Sequence, residues 1–404
     1  MINYSGLNYL QIDIANHYGY GLDKKSFEDR IIWVNTNNNE LENLAEHAED
    51  PARYTAAVMA YRDTQNGIPT GYLVGLDACA SGIQVLSTLT GCKVGCKNTG
   101  LTGEDREDIY STVTAVMNDL LDSNVQHSKK IVKKATMVYY YGSKAKPKEA
   151  FGEDTPELIA FYKAQEIVAP GAYKLVSTLI NTWQNDALEH SWTMPDGFVV
   201  RNKVTQMVDT KIEVDELDHS TFMYRHEVNI GKEDGLANSA NVTHSVDGLV
   251  NRELSRRCNY NRKQLLAVKN LIEIHLLISS ELFGSAPDEL LWLDHGFISL
   301  VGVEHFNIET MGSYGIAYCD ALLALIEDTL QHKSFPCKSV HDEFLAHANN
   351  MNRVRQVYID IFAELAESSV LDKILSSIVG HEMSIEKLSS DLGDDIRNGN
   401  YPIS

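Results

Sequence analysis

The sequence has no long apolar run, and this absence excludes a membrane-spanning helix. Its longest apolar stretch, residues 265–278, is interrupted by four polar residues, whereas a transmembrane helix needs roughly 20 apolar residues in succession. No basic region followed by an apolar core stands at the start, so no signal peptide is predicted. The 404 residues contain no internal repeat, low-complexity tract or linker rich in Pro, Gly or Ser, which excludes a beads-on-a-string organisation.

Cysteine is also scarce, with six residues scattered through the chain. Only Cys92 and Cys96 lie close together, and no second Cys/His pair stands nearby to complete a zinc site. Reduced thiols in a cytoplasmic protein are therefore predicted. Hydrophobic residues make up 44% of the chain and charged residues 23%, which is typical of a folded protein and not of a disordered one.

Positive charge is in the minority, and the net charge of −21 argues at first against a nucleic-acid partner. Two basic clusters qualify this argument. Seven lysines and no acidic residue stand between His127 and Lys148. The second cluster comprises Arg252, Arg256, Arg257, Arg262 and Lys263, offset only by Glu253. Such clusters in an acidic chain predict a groove for a polyanion, although a solvated helix face is the alternative.

The periodicity of apolar residues predicts mixed secondary structure. Residues 72–76 follow a Gly-Ile-Pro-Thr-Gly turn and predict a buried strand that ends at Asp77. Hairpins are predicted over 192–230. Helices are predicted over residues 27–48, 105–121, 128–141 (capped by Ser128), 264–282 and 348–379. Helices and strands without regular alternation indicate an α+β fold, in which helices cover a small antiparallel sheet.

The basic helix predicted over 128–141 has the most informative pattern. Lys129, Lys133, Met137 and Tyr141 recur every four residues and form one stripe roughly 18 Å long. This stripe suits a nucleoside triphosphate: the lysines would meet the phosphates, Met137 the base and Tyr141 the sugar. A plain surface stripe is the alternative, but the terminal Tyr141-Gly142 and the lack of an acidic partner favour binding.

Two aspartates supply the remaining chemistry. Asp77 precedes a run of small residues, Ala-Cys-Ala-Ser-Gly, which allow a ligand to approach the backbone closely, and Asp342 is predicted on a β-hairpin. Each could simply cap a turn. Nucleotidyl transfer, however, needs carboxylates from separate strands to hold two Mg²⁺ ions about 4 Å apart. Asp77, the lysine stripe and Asp342 provide these parts in that order.

Several segments together resemble the single-subunit phage and mitochondrial RNA polymerases. Motifs A, B and C of that family are matched by Leu76–Gln84, Lys129–Gly142 and Val340–Phe344. Further matches, in the family's order, are residues 10–16, 108–110, 195–198 and 241–247. The resemblance covers nearly the whole chain except roughly residues 251–332. The number and order of these short motifs make coincidence improbable.

The resemblance implies a role for each matched residue. Asp77 and Asp342 would hold two Mg²⁺ ions, with the backbone carbonyl of Ala78 as a further ligand. Catalytic roles would fall to Asp77, Asp342, Lys133 and Tyr141. The substrate would be bound by Lys129, Met137, Gly142, Gly82, His244 and Tyr110.

The resemblance implies a more specific role for some of these residues than for others. Lys133 would contact the triphosphate, whereas Lys129 stands where the family usually has Arg, which puts a bidentate phosphate contact in doubt. Tyr141 and His244 would recognise the ribose 2′-hydroxyl. Tyr110 would lie beside the active site and the nucleic acid. A satisfied interior histidine and an ordinary helix aromatic remain the alternatives for His244 and Tyr110.

The implied fold is the polymerase right hand. The palm would comprise residues 1–95 and 245–404, with a mainly helical insertion at about 251–332. The fingers would comprise residues 96–244, with a promoter-reading hairpin at about 201–237. The implied partners are a DNA template, ribonucleoside triphosphates and the RNA product, with no membrane, in the cytoplasm of an infected bacterial host.

Two other functions remain open. A family A DNA polymerase often shares the Val340–Glu343 motif, but it typically has a Glu five residues after the catalytic Asp, where this chain has Gly82. Gly82 leaves room for a ribose and therefore favours RNA synthesis. A non-catalytic polymerase-like subunit that binds nucleic acid would be expected to lose metal ligands or the motif B lysine, and all are present.

The family usually has an N-terminal promoter-recognition region and a thumb before the segment matched by residues 10–16. The sequence starts just before that match, so a second subunit is predicted to supply both parts; a fragment is the alternative. The hairpin contains Asp209, Glu213, Asp215, Glu216 and Asp218. This acidic run predicts weak binding of duplex promoters, and initiation through single-stranded DNA or a DNA-binding, promoter-melting accessory factor. The insertion is predicted to be a docking surface or an inert elaboration.

Overall fold

A computed structural model describes residues 1–121 and 125–404. Within these residues the α-helices are α1 Gly6–Tyr18, α2 Phe27–Thr36, α3 Pro51–Gln65, α4 Ser81–Leu89, α5 Lys93–Asn98, α6 Ile109–Asp119, α7 Lys129–Tyr139, α8 Ala145–Phe151, α9 Pro156–Val168, α10 Pro170–Asn181, α11 Ala237–Cys258, α12 Arg262–Ile278, α13 Pro287–His295, α14 Gly302–His305, α15 Ile316–Leu330, α16 Met351–Glu367, α17 Val370–Val379 and α18 Leu392–Arg397. The strands are β1 Leu73–Asp77, β2 Glu189–Thr193, β3 Val199–Lys203, β4 Thr205–Val214, β5 Ser220–Asn229, β6 Lys338–Val340 and β7 Glu343–His347.

The central sheet is small and antiparallel, with strand order β1-β7-β6. In β1, Val74 and Leu76 are buried, whereas Asp77 points to the opposite face, as the two-residue period of a strand requires. Asp77 pairs with Glu343 at the end of the β1–β7 ladder. Ala78, one residue further on, forms an isolated bridge with Ile403. The predicted strand ending at Asp77 is thus confirmed, and so is a mixed fold of helices with small antiparallel sheets.

The sheet is covered by helices whose buried faces are continuous with it. Helix α16 is amphipathic, and residues from Met351 to Ala366 enter the main hydrophobic core together with Val74 and Leu76. Helix α4 is buried at every position from Ser81 to Leu89. These helices fix the β1 end and the β6–β7 turn, which are the two places where the candidate aspartates stand.

The predicted insertion is a folded unit with its own core. Residues of α12 and α15, among them Leu265, Ile272 and Leu322, form a second hydrophobic cluster separate from the main one. The predicted helical content of this region is therefore confirmed. In the part of the chain that the structure describes, no helix is both long and apolar enough to span a membrane.

Two predicted helices differ from the structure. The helix predicted over 348–379 is divided into α16 and α17 at Ser368 and Ser369. The helix predicted over 27–48 ends at Thr36, and only a 3₁₀ turn, Asn43–His47, follows. An asparagine run begins there, and the Asn37 side chain donates to the carbonyl of Trp33 at 2.8 Å. Asparagine side chains compete for backbone groups in this way and favour helix ends.

Candidate active site

Three carboxylates meet at one end of the central sheet. Asp77 is the last residue of β1, and Asp342 lies in the tight turn between β6 and β7. The turn is held by the backbone N–H of Ala78, which donates to the carbonyl of Asp342 at 3.2 Å. His341 takes the left-handed conformation that such a turn needs, with φ of 57°. Glu343, opposite Asp77 in the ladder, adds a third carboxylate that the sequence did not single out.

The charges of this group are poorly compensated. Burial, followed by repulsion from Asp342 and Glu343, raises the pKa of Asp77 to about 6. The N–H of Ala78 and the ammonium of Lys24 oppose this shift only in part. Glu343 lies 3.5 Å from the guanidinium of Arg53, whereas the carboxylate oxygens of Asp77 and Asp342 are the hard donors that Mg²⁺ prefers. The residues present therefore fit a magnesium site.

The predicted lysine stripe faces these carboxylates. Lys129, Lys133 and Met137 line a cleft of about 370 Å³ together with Asp77 and Asp342. Ser128 occupies the predicted N-cap position of α7, although its side chain accepts no capping hydrogen bond there. Cationic side chains thus stand across one cleft from the acidic pair, which is the arrangement that a metal-bound triphosphate needs.

Each stripe lysine is held by the first turn of α6. Lys129 forms an ion pair with Asp108, and Lys133 lies over the ring of Tyr110, with Nζ 5.1 Å from the centroid. The expectation that the lysines lack an acidic partner is therefore wrong. The partner comes from a separate helix, so it could not be found by inspecting the lysine segment alone.

A second cavity, of about 500 Å³, adjoins the first on the other side of Asp342 and Met137. Tyr141 and His244 line it, stacked with ring centroids 4.9 Å apart and planes at 15°. Burial raises the pKa of Tyr141 to about 12, with further contributions from Asp247 and Asp342. The phenol is therefore a hydrogen-bond donor at neutral pH.

Gly82 lies directly beneath the Tyr141 hydroxyl. A Cβ atom at Gly82 would stand 2.9 Å from Oη of Tyr141 and 3.4 Å from Cγ2 of Thr243. Gly142 ends the α7 region with φ of +89°, a conformation that favours glycine. The structure thus brings Tyr141, His244 and Gly82 together, and their roles in substrate binding stay predictions.

Residues 1–150 match the profile of the DNA-dependent RNA polymerase family, a stretch that includes Asp77 and the whole of α7. This part of the chain is therefore similar to that family. The DNA-directed RNA polymerase 1B, mitochondrial, of Nicotiana tabacum is 26% identical over 303 residues, covering 60% of this chain and 30% of that protein. The DNA-directed RNA polymerase of Pseudomonas phage phiKMV is 30% identical over 135 residues, covering 29% of this chain and 16% of that protein. The chain spans about 30% of the length of the mitochondrial RNA polymerase.

Asp247 is a residue of the candidate site to which sequence reasoning gave no role of its own. It stands three residues after His244 on α11, hence on the same helix face, and lines the second cavity beside Asp342. Burial and then Asp342 raise its pKa to about 7. The signal was available, since the matched segment 241–247 ends on this aspartate.

The three arginines that α11 contributes to the second basic cluster bind carboxylates of the chain itself, contrary to the predicted groove for a polyanion. Arg252 and Arg256 both bind the carboxylate of Asp196, at 2.6 and 2.9 Å. Arg257 is 3% exposed and binds Glu364 at 2.6 Å. The arginines of α11 form ion pairs within the chain, with residues of the β2–β3 turn and of α16. They stabilise the junction of these elements.

The predicted hairpin is present as β4 and β5, paired from Thr205–Asn229 to Val214–Ser220. Its turn is acidic: Glu213 and Asp215 contact His219, and all three side chains are more than half exposed. Acidic groups at the exposed end of this hairpin would repel duplex phosphates.

Proposed function

We propose that the chain is the catalytic portion of a DNA-directed RNA polymerase that adds ribonucleotides to a transcript by two-metal chemistry. The observation that supports this most strongly is the single cleft in which Asp77 and Asp342 face Lys129 and Lys133. Neither the acidic pair nor the lysines alone would specify the reaction. A triphosphate with bound metal needs both.

Each group of residues has a defined task in this proposal. Asp77, Asp342 and the carbonyl of Ala78 would hold two Mg²⁺ ions, which when bound lower the pKa of the 3′-hydroxyl and neutralise the leaving pyrophosphate. Lys133 and Lys129 bind the triphosphate and orient it for attack. The 3′-oxygen of the transcript then bonds to the α-phosphorus, the bond from that phosphorus to the bridging oxygen breaks, and pyrophosphate leaves.

Ribose selection would follow from the second cavity. Tyr141 and His244 are stacked over Gly82, where a larger side chain would displace the Tyr141 hydroxyl. A buried site built to hydrogen-bond a hydroxyl discriminates strongly against a substrate that lacks it. The 3′ end of the transcript would lie in the same cavity, beside Asp342 and Asp247.

The domain assignment is part of the proposal. The sheet that bears Asp77 and Asp342 would be the palm, formed by residues 1–95 and 245–404. Residues 96–244, which include α7, would be the fingers, and the β4–β5 hairpin would face the promoter. We place the activity in the cytoplasm of an infected bacterium, with the phage relative as support.

We also propose protein partners. A second subunit would supply the N-terminal domain and thumb. The insertion presents apolar side chains to solvent, with Leu277 85%, Leu282 74% and Phe283 67% exposed, and surfaces of this kind commonly mark protein interfaces. An accessory factor that binds single-stranded DNA or melts the promoter would compensate for the acidic hairpin.

The decisive experiment uses the chain as purified from its source, with whatever co-purifies. Asp77→Asn and Asp342→Asn are each expected to abolish ribonucleotide addition on single-stranded DNA with Mg²⁺, while circular dichroism and thermal unfolding stay close to wild type. Asp186→Asn, an exposed loop residue, is the matched control and should retain activity. Near-normal addition by either active-site variant would overturn the mechanism. Preferential use of deoxynucleotides by the wild type would instead indicate a DNA polymerase.

A further inference from the structure

The first turn of α6 presents a carboxylate to the proposed triphosphate site. Asp108 is the N-cap of α6: its Oδ1 accepts from the backbone N–H of Tyr110 at 3.1 Å, and its Oδ2 accepts from Oγ of Ser111 at 2.9 Å. The same Oδ2 accepts from the ammonium of Lys129. Asp108 is thus fixed on its own helix and bound to a lysine of another.

The ion pair between Lys129 and Asp108 is partly exposed to solvent, so it can open. The side chain of Lys129 is 40% exposed to the cleft, whereas that of Asp108 is 16% exposed. Burial alone would raise the pKa of Asp108, but Lys129 and Ser111 hold it below its usual value. Asp108 is therefore ionised at neutral pH, and its charge offsets that of Lys129. Lys133 instead lies over the neutral ring of Tyr110.

A triphosphate in the cleft would therefore meet two different lysines, one paired with a carboxylate and one over a neutral ring. Phosphate oxygens that approach Lys129 must compete with Asp108 for the same ammonium group. The fixed carboxylate also repels the negative phosphates directly. Lys129 can give its full charge to a phosphate only by leaving Asp108.

We propose that Asp108 is a positioning residue that holds Lys129 between nucleotides, yields it to the incoming triphosphate, and reclaims it as pyrophosphate departs. The proposal rests on the proposed function. Asp108 would keep Lys129 from binding either polyphosphate too tightly, and so would favour product release. It would act through Lys129 and would not touch the reacting atoms.

The test is Asp108→Asn, because asparagine is as good an N-cap as aspartate but has no charge. Loss of a partly exposed competing ion pair is expected to lower both the KM for nucleotide and the inhibition constant of pyrophosphate about three- to fivefold. The turnover number should fall or stay unchanged. Asp108→Ser, which also caps helices, should behave in the same way and guards against an effect peculiar to asparagine.

Two further variants make the result specific. In a Lys129→Ala background, Asp108→Asn should change both constants much less, because the competition no longer exists and only the direct repulsion of the phosphates is removed. Asp391→Asn is the matched control: Asp391 stands at the N-terminus of α18 and binds Lys93 at 2.7 Å, and neither residue lines the cleft. It should leave both constants unchanged.

A rise in KM for Asp108→Asn, or equal effects with and without Lys129, would overturn the proposal and leave Asp108 a purely structural cap. Failure of the proposed function would look different. The wild-type chain would then add no nucleotide at all, and no KM or inhibition constant could be measured.

Discussion

Replacing Gly82 with alanine adds one methyl group at the point where the site is narrowest. The backbone at Gly82 lies outside the left-handed region, so alanine is allowed there and should favour α4 by up to about 1 kcal/mol. The new Cβ would stand 2.9 Å from Oη and 3.2 Å from Cζ of Tyr141. To regain ordinary contact, the phenol must move by about 0.5 Å.

The stacking geometry sets how the phenol can respond. Tyr141 lies against His244 on one side and follows the fixed end of α7, so its hydroxyl can move only by tilting the ring. A tilt spoils a hydrogen bond to the ribose worth about 1 kcal/mol, which corresponds to about a fivefold loss in discrimination against deoxyribose. Overpacking costs about 1–3 kcal/mol, offset in part by the helix preference, so the fold should survive.

The assay compares kcat/KM for single addition of ATP and dATP on a primed single-stranded template, with thermal unfolding measured in parallel. Gly71→Ala is the matched control, since a Cβ there would meet nothing within 4 Å. The expected result for Gly82→Ala is a ribose preference reduced about fivefold with a modest change in Tm. An unchanged preference in Gly82→Ala would refute the assignment of Tyr141 and Gly82 to sugar selection.

Three other predictions concern Tyr141, Asp77 and Asp196. Tyr141→Phe should retain synthesis but accept deoxynucleotides more readily, and an unchanged ratio of dATP to ATP incorporation would remove Tyr141 from sugar selection. Because the pKa of Asp77 is raised from 3.8 to about 6, the native state binds its proton more tightly than the unfolded state. Without metal, the stability of the fold should therefore fall as the pH rises from about 4 to about 6, whereas the affinity for Mg²⁺ should rise over the same range. Calorimetry with and without Mg²⁺ measures both quantities. An affinity for Mg²⁺ that does not change with pH would contradict the role of Asp77 as a metal ligand. Asp196→Ala leaves Arg252 and Arg256 without their shared carboxylate and should lower the free energy of unfolding in urea by about 3 kcal/mol; a loss below about 1 kcal/mol would contradict the structural role of the cluster.

The parts of the site that depend on local sequence could be predicted. The strand ending at Asp77 follows from an apolar run bounded by a turn, and the stripe from Lys129 to Tyr141 follows from helical spacing. Both patterns are set within about 15 residues, where backbone geometry alone decides which side chains share a face. That Tyr141 and His244 would lie at one site followed only from the family resemblance, and their stacking was not predicted, since no local pattern relates residues so far apart in the chain.

The predictions that the structure contradicts concern contacts between segments that are distant in the sequence. The ion pair of Lys129 with Asp108 joins two helices, and the pairs of Arg252 and Arg256 with Asp196 join α11 to the β2–β3 turn. Counting charges within a window cannot find such partners. Both basic clusters therefore looked alike in the sequence, although only one faces the cleft.

Burial of the counter-charge is what separates the two clusters physically. Asp196 has a side-chain exposure of 0%, so breaking its ion pairs would leave a buried charge without a partner. Asp108 and Lys129 are 16% and 40% exposed, so water and phosphate can replace each partner at small cost. A lysine whose partner is within reach of solvent can exchange it for a substrate; an arginine whose partner is fully buried serves the fold. By this criterion α7 is the better candidate of the two for binding a polyanion, and the arginines of α11 belong to the framework of the fold.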